Sequence, residues 1–336
     1  MNQAKLILVT LIAFFVMACN ATKVIETITP AEEVMPSKKV SPLKYESLSF
    51  SYENITGIGE EANYNRRDNS DIIKVGDTYY VWYTRMDSPV TSGYWGTVWY
   101  ATSTDEGHNW EEQGMAIGLG AAGEFDAHSV FTPNILAYKG KYYLYYTGIG
   151  QEPVKTKTYE DITAIGLAVS DSPDGPFVKV KNNPVLEISE VATDFDSYRI
   201  DDSALMVKDN KIWLYYKGRA FKKTARKTKM SVAYADKPDG PFTKNEGFLL
   251  DGSHEVLIWK KGEGVVSLAS LHESLNFAAD GKQFTMMLDS LTNLPKAPGL
   301  YRPHLNDGNP NWEIPGWGVC MRNRKGVAYL TRFEMK

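Results

Sequence analysis

Asp68, Thr132, Asp202 and His254 stand at one place in a repeating frame, each eight positions ahead of a tight-turn residue: Gly76, Gly140, Asn210 and Gly262. Three of the four titrate. Asp is depleted from strands and more often caps a turn through its side chain, but turn capping does not call for ionisable groups at equivalent stations of a repeat. The neighbours add charge: Arg66 and Arg67 precede Asp68, Arg199 and Asp201 flank Asp202, and Glu255 follows His254. Carboxyls held close together resist ionising together, so one can act as a base while another group keeps a proton. Hydrolysis of a glycosidic bond needs that division, with one group protonating the leaving oxygen and the other activating water. The same count from a fifth turn, Gly326, reaches Gly318 beside Trp317, an aromatic expected to line the same mouth.

The elements that must position these residues are strands. TYYVWYTR (78–85), KYYLYYTG (141–148) and KIWLYYKG (211–218) nearly repeat one another, and each alternates as a strand with two packed faces does. Each follows an apolar strand that ends in a tight polar turn, and each precedes a third strand with a Gly turn: WYATSTDEGHNW, GLAVSDSPDGPF and VAYADKPDGPF. A weaker fourth copy runs through VLIWKKGEGVVSLASL and NFAADGKQF, and GVCMRNRKGVAYLTRF supplies a fifth. The turn anchors recur at separations of 64, 70, 52 and 64 residues. Units of this size, a few antiparallel strands each, predict an all-β, five-bladed β-propeller with no long helix. A β-sandwich would show no internal repeat. The first strand of each blade lies nearest the axis, so the residue opening it should face a central cavity.

Composition narrows the classes. Hydrophobic residues are 43% and charged residues 23% of 336, enough for a large core. Lys plus Arg number 37 against 41 Asp plus Glu, and a net charge of −4 disfavours nucleic acid as a partner. The 2 cysteines, Cys19 and Cys320, exclude a disulfide framework and a structural zinc site. Cys320 reads as a buried small hydrophobe. At the N-terminus, Lys5 and the apolar run 6–16 have the form of a secretory signal, too short to span a bilayer. The run ends in Val16, Met17, Ala18 and Cys19, like a bacterial lipobox, so residues 1–18 are expected to be removed and Cys19 lipidated. Residues 19–45 then form a Pro-containing tether, and 46–336 the propeller. The expected location is the cell envelope, held to a membrane through the lipid alone. Of the remaining groups, His108, His304 and the His272–Glu273 pair read as peripheral. The basic run Lys222, Lys223, Arg226, Lys227 and Lys229 reads as a solvated loop attractive to a sulfated glycan.

From about residue 67 to 284 the chain resembles glycoside hydrolase family 117, enzymes that release 3,6-anhydro-L-galactose from agar oligosaccharides, and more distantly the five-bladed hydrolases of family 43. The resemblance is carried by RRDNSDIIKVGDTYYVWYTR, VWYATSTDEGHNWEEQGMAIG, HSVFTPNILAYKGKYYLYY, RIDDSALMVKDNKIWLYYKG, SHEVLIW and NFAADGKQF. It implies Asp68 as general base, Asp202 as the second active-site Asp, His254 as general acid and Glu255 as a grip on the anhydro sugar. A neighbouring anion, Glu255 or Asp202, would have to keep His254 charged. Thr132, His128, Arg67 and Trp317 complete the expected sugar contacts. No cofactor is read. The resemblance leaves room for a water-bound divalent ion in the central cavity, for which no ligand set is legible. The chain departs from the family pattern at Asn69 and Ser70 after the base and at Asp201 and Ser203 around the second Asp. It also lacks a helical pattern ahead of Asp68 of the kind that swaps between subunits in a homodimer. The implied activity is exo-acting, inverting removal of one sugar from the non-reducing end of red-algal galactan oligosaccharides. The alternatives are a family 43-like arabinofuranosidase or xylosidase, and a glycan-binding lipoprotein without catalysis.

Overall fold

The three near-identical aromatic segments become the second strands of three successive blades, Thr78–Met86, Lys141–Ile149 and Lys211–Arg219, buried along most of their length. Strands buried on both faces need apolar residues at consecutive positions, which explains why these runs are richer in Tyr and Trp than a half-exposed strand would be. The computed structural model describes Tyr45 and residues 48–86, 95–150, 162–302 and 316–336. The lipobox, Cys19, most of the tether and His304 lie outside the described residues.

Five antiparallel sheets form the ring. In the first blade the inner strand is broken into Asn65–Arg67 and Ile73–Val75, followed outward by Thr78–Met86, Thr97–Ser103 and Glu111–Ile117. Blades two, three and four begin on the inner strands Ser129–Tyr138, Arg199–Lys208 and Val256–Lys261, and each runs outward through consecutive strands. No α-helix forms among the described residues.

The fifth blade corrects the sequence frame. Its order from the centre is Lys296–Leu300, Trp317–Arg324, Val327–Met335 and then Phe50–Asn54, so the chain's two ends share one sheet. The Gly326 turn therefore joins the second strand to the third, and counting back from it leads to the wrong strand. Gly318 pairs with Leu300, at the far end of the inner strand from Ala297.

The core lies between blades. One apolar cluster joins Trp82 of the first blade, Tyr145 and Tyr146 of the second and Tyr216 of the third; a separate cluster packs Trp259 of the fourth against Phe333 of the fifth. The outer turns fasten each interface. Phe177 of one DGPF turn meets Trp82 edge-on at 6.0 Å, Phe242 of the next meets Tyr145 at 6.5 Å, and the Tyr145 hydroxyl donates to the Pro238 carbonyl at 2.6 Å. The first blade's turn does the same to the fifth, and the residue it covers is Trp317. A Cβ on Gly107 would lie 2.6 Å from that indole, which also stacks on Tyr301 at 5.1 Å. Trp317 is thus packing between blades one and five, in place of the cavity aromatic expected from the sequence.

Candidate active site

The inner strands share a local distortion. Asp68, Thr132, Asp202 and Ala297 have φ of 47°, 44°, 51° and 43°, the left-handed region that non-glycine residues avoid. In blades two, three and five the pairing register shifts across this residue, between Phe131 and Asn134, between Asp201 and Ala204, and between Lys296 and Gly299. A bulge of this kind re-aims one side chain, and such strain persists where surrounding bonds over-determine it. Thr132 shows those bonds. Its N–H donates to Thr84 Oγ1 at 3.0 Å, and its own hydroxyl lies 2.5 Å from Thr147 Oγ1.

The left-handed residues open onto one small cavity of about 30 Å³, lined by Asp68, Asn69, Thr132, Asp202, Ser203, Glu255 and Pro298 among others. Three of the four counted positions therefore meet on its wall. In the fourth blade the wall residue is Glu255, and His254 stands one place earlier. The reason is the unbulged inner strand Val256–Lys261, which pairs Lys261 with Gly264 and brings residue 255 into phase. His254 Nδ1 lies 3.2 Å from Thr228 Oγ1, and its N–H donates to Ser270 Oγ at 3.1 Å. His128 is exposed, holds Ile149 through its backbone and does not line this cavity. Arg67 Nε donates to Asp68 Oδ2 at 2.7 Å and so acts on the wall through that carboxylate.

The floor is a tie between blades. Asp71 and Leu205 lie three residues beyond Asp68 and Asp202, roughly 10 Å deeper at a strand's rise. Arg302 reaches both from the fifth blade: Nη1 to Asp71 Oδ2 at 2.5 Å and Nη2 to the Leu205 carbonyl at 2.8 Å. Asn134 adds the second blade, accepting from the Asp71 N–H at 3.1 Å and donating to the Ser203 carbonyl at 2.8 Å. Higher up, Asn69 Oδ1 and Ser203 Oγ have no partner among the described residues. Buried polar atoms on a cavity wall that are left without partners are poised for ligand hydroxyls.

Charge in the site centres on Lys217. Its Nζ lies 2.6 Å from Asp202 Oδ2 and 3.0 Å from Asp201 Oδ1, and Arg199 Nε donates to the other Asp201 oxygen at 2.8 Å. Burial would raise the Asp201 carboxyl, but Lys217 and Arg199 outweigh it and hold the group at about 2. Asp202 goes the other way. Burial, helped by the charges of Asp201 and Asp68 and opposed by Lys217, pushes it up to about 7. His254 is depressed to about 4, first by Lys217 and then by burial, against the pull of Glu255, Asp201 and Asp68. The imidazole is therefore neutral near pH 7, contrary to the expectation that a neighbouring anion would keep it charged.

Comparison with known proteins agrees with this architecture. The model of "Glycosyl hydrolases family 43" matches residues 62–220. No curated protein matches the chain by sequence. Among solved structures, a family 117 glycoside hydrolase of the marine bacterium Zobellia galactanivorans superposes with a TM-score of 0.77 at 29% identity, over 86% of this chain and 90% of that one. The chain is a glycoside hydrolase of this propeller type. An endo-arabinase of Bacteroides thetaiotaomicron (TM-score 0.56, 14% identity, 85% of this chain and 98% of that one) shares the fold. So does a thermostable family 43 hydrolase (0.55, 14%, 84% and 92%).

In this hydrolase the donor set does not fit a directly ligated metal ion. Among the described residues no three His, Cys, Asp or Glu converge on one point, and both acids of the third blade are already paired with Lys217. A larger cleft of about 690 Å³ lies along the third blade, lined by Lys223, Lys227, Lys229, Tyr216 and Phe248, which is where part of the basic run falls. Lys217 itself was legible in the sequence as a break in the repeat, since the same place holds Thr84 and Thr147 in the other two copies. Arg302, in a Pro-rich stretch with no repeat partner, gave no such signal.

Proposed function

We propose that the chain is an exo-acting, inverting glycosidase that releases 3,6-anhydro-L-galactose, or a closely related sugar, from the non-reducing end of red-algal galactan oligosaccharides. The observation that carries this reading is the convergence of Asp68 and Asp202 on the wall of one central cavity, tied off beneath by Arg302. The 29% likeness to a family 117 enzyme favours the anhydro sugar.

In the reaction Asp68 takes a proton from water as the water oxygen bonds to the anomeric carbon, and Asp202 gives its proton to the departing oxygen as that C–O bond breaks. The proton gained by Asp68 returns to solvent and Asp202 is reprotonated from it. The carboxyls of Asp68, Asp201, Asp202 and Glu255 outnumber the cations Arg67, Arg199 and Lys217 paired among them, so the empty site has room for one proton. Glu255, on the cavity wall, is placed to grip a sugar hydroxyl. Through Cys19 the enzyme would be lipid-anchored in the cell envelope, facing imported oligosaccharides.

The test is incubation with agar, porphyran and carrageenan oligosaccharides and with arabinoxylan oligomers, read by mass and anomer-resolved NMR. Anhydro-galactose released with inverted configuration is the expected product. Release of pentose alone would move the substrate to the family 43 kind, and binding without turnover would leave a glycan receptor.

A further inference from the structure

The cleft along the third blade is built on a framework that blade two repeats. Asp196 accepts from the Tyr216 hydroxyl at 2.9 Å and pairs with Lys244 at 2.7 Å, as Asp126 accepts from Tyr146 at 2.7 Å and pairs with Lys179 at 2.7 Å. Phe195 stacks on Tyr216 as Phe125 stacks on Tyr146. Asp194 caps its turn through Ser189 Oγ, as Glu124 caps the same turn in blade two through the Ala121 N–H. These groups fasten a blade. What blade three adds is a cation and an aromatic. Lys229 stands where blade two has Ala164, since each lies opposite the glycine of its second strand, Gly218 or Gly148. Phe248 stands where blade two has Pro184, since the next N–H donates to the equivalent carbonyl, Leu249 to Met230 and Val185 to Ile165. The Lys229 ammonium sits 3.5 Å from the centre of the exposed Phe248 ring, and Phe195 meets that ring edge-on at 6.2 Å, so the aromatic fixes the cation. Lys223 and Lys227 line the same cleft, are exposed, and have no acid partner among the described residues. Against these three cations stand exposed Glu246 on the lining and Asp251, 3.7 Å from Lys229.

The cleft shares a rim with the central cavity. Arg199 opens the inner strand opposite Arg219, so residues 193–196 before it and 220–227 after the second strand lie at the Asp202 end of the blade. Thr228, between Lys227 and Lys229, touches His254 Nδ1 at 3.2 Å, and Glu255 next in the chain lines the cavity. We propose that this cleft is a second binding site, for a sulfated sugar, and that it holds the part of a galactan oligosaccharide extending from the central cavity. Its volume of about 690 Å³ is that of a small-molecule site. Sulfate esters stay ionised across the working pH range and are met by lysines as point charges. A neutral chain would leave Lys223 and Lys227 with nothing to pair. The galactan identity rests on the reading given above, whereas the anionic character of the ligand rests on the cleft alone.

The experiment is calorimetric binding to the full chain of porphyran and carrageenan oligosaccharides, each beside the same oligosaccharide after desulfation. At low salt the sulfated form should bind more tightly, and the margin should shrink as salt brings the screening length to about 10 Å and below. Lys223→Ala/Lys227→Ala should weaken binding of the sulfated form by about 3- to 30-fold, the worth of two exposed ion pairs, and flatten its salt dependence. Both residues are exposed, so the variant should melt as the wild type does. Equal binding of the two forms by the wild type, or a margin that survives in the variant, overturns the proposal. Polyphosphate binding as tightly as the sulfated sugar would also overturn it, by making the cleft a general anion trap. Where an oligosaccharide is cleaved, the variant should raise KM for its sulfated form by the same factor; an unmoved KM would detach the cleft from the cavity and overturn their joint use. If nothing is cleaved, binding still reads the cleft, so failure of the substrate reading shows separately.

Discussion

Asp202 is harder to ionise than Asp201 although both touch the same ammonium, because Asp201 has a second cation and Asp202 has Asp68 across the cavity. As general acid it must hold its proton, so turnover should fall as pH rises through about 7, with a limb that disappears in Asp202→Asn. The same shift has a stability sign. A carboxyl raised in the folded state stabilises the fold below its unfolded value near 3.8, and that contribution is lost as pH climbs through about 7. Chemical denaturation of Asp202→Asn should therefore vary less between pH 4 and 7 than that of the wild type. Asp68→Asn should cut kcat by about 10² to 10⁴ with an unchanged melting temperature, and activity within a few-fold of wild type would remove Asp68 from the mechanism. Ser203→Ala, which deletes a wall hydroxyl without a partner among the described residues, should raise KM by about 2- to 10-fold, the worth of one net hydrogen bond.

At the scale of elements, each outer turn is a clip on the blade before it. Gly107 has φ of 80° and faces Trp317, so Gly107→Ala should strain the clip by more than about 1 kcal/mol and lower the melting temperature while kcat/KM holds. A change in kcat/KM at constant stability would instead return Trp317 to the sugar. The strands and their repeat were legible in the sequence because inter-blade burial demands the same aromatic run each time. Asp68, Thr132 and Asp202 were legible because three inner strands turn left-handed at the same residue. His254 missed the wall by one place since its blade has no bulge, and a count from turns cannot see a bulge. Trp317 was misplaced since its turn joins a different pair of strands, a fact that depends on Phe50–Asn54, far away in the chain. Lys217 was visible as an exception to the repeat, but its meaning needed the two acids brought to it.

For the whole molecule, the decisive contact is Phe50 opposite Met335. A truncation that removes residues through 54 should expose the full edge of Val327–Met335 and open the interface where Phe50 packs against Phe333, with loss of cooperative melting. Aromatic faces between blades would then be solvated and the cavity floor would lose the register of Arg302 against Asp71. The same seam also orders events in time. Synthesis delivers the outermost strand of the last sheet first and its partner strand last, so that strand must wait, unpaired, while everything between is made. A nascent chain stalled before its final twenty residues would hold four nearly finished sheets and no complete ring. Folding of this hydrolase should accordingly be slow and should complete only after release, the expectation for a topology whose defining contact spans almost the whole chain.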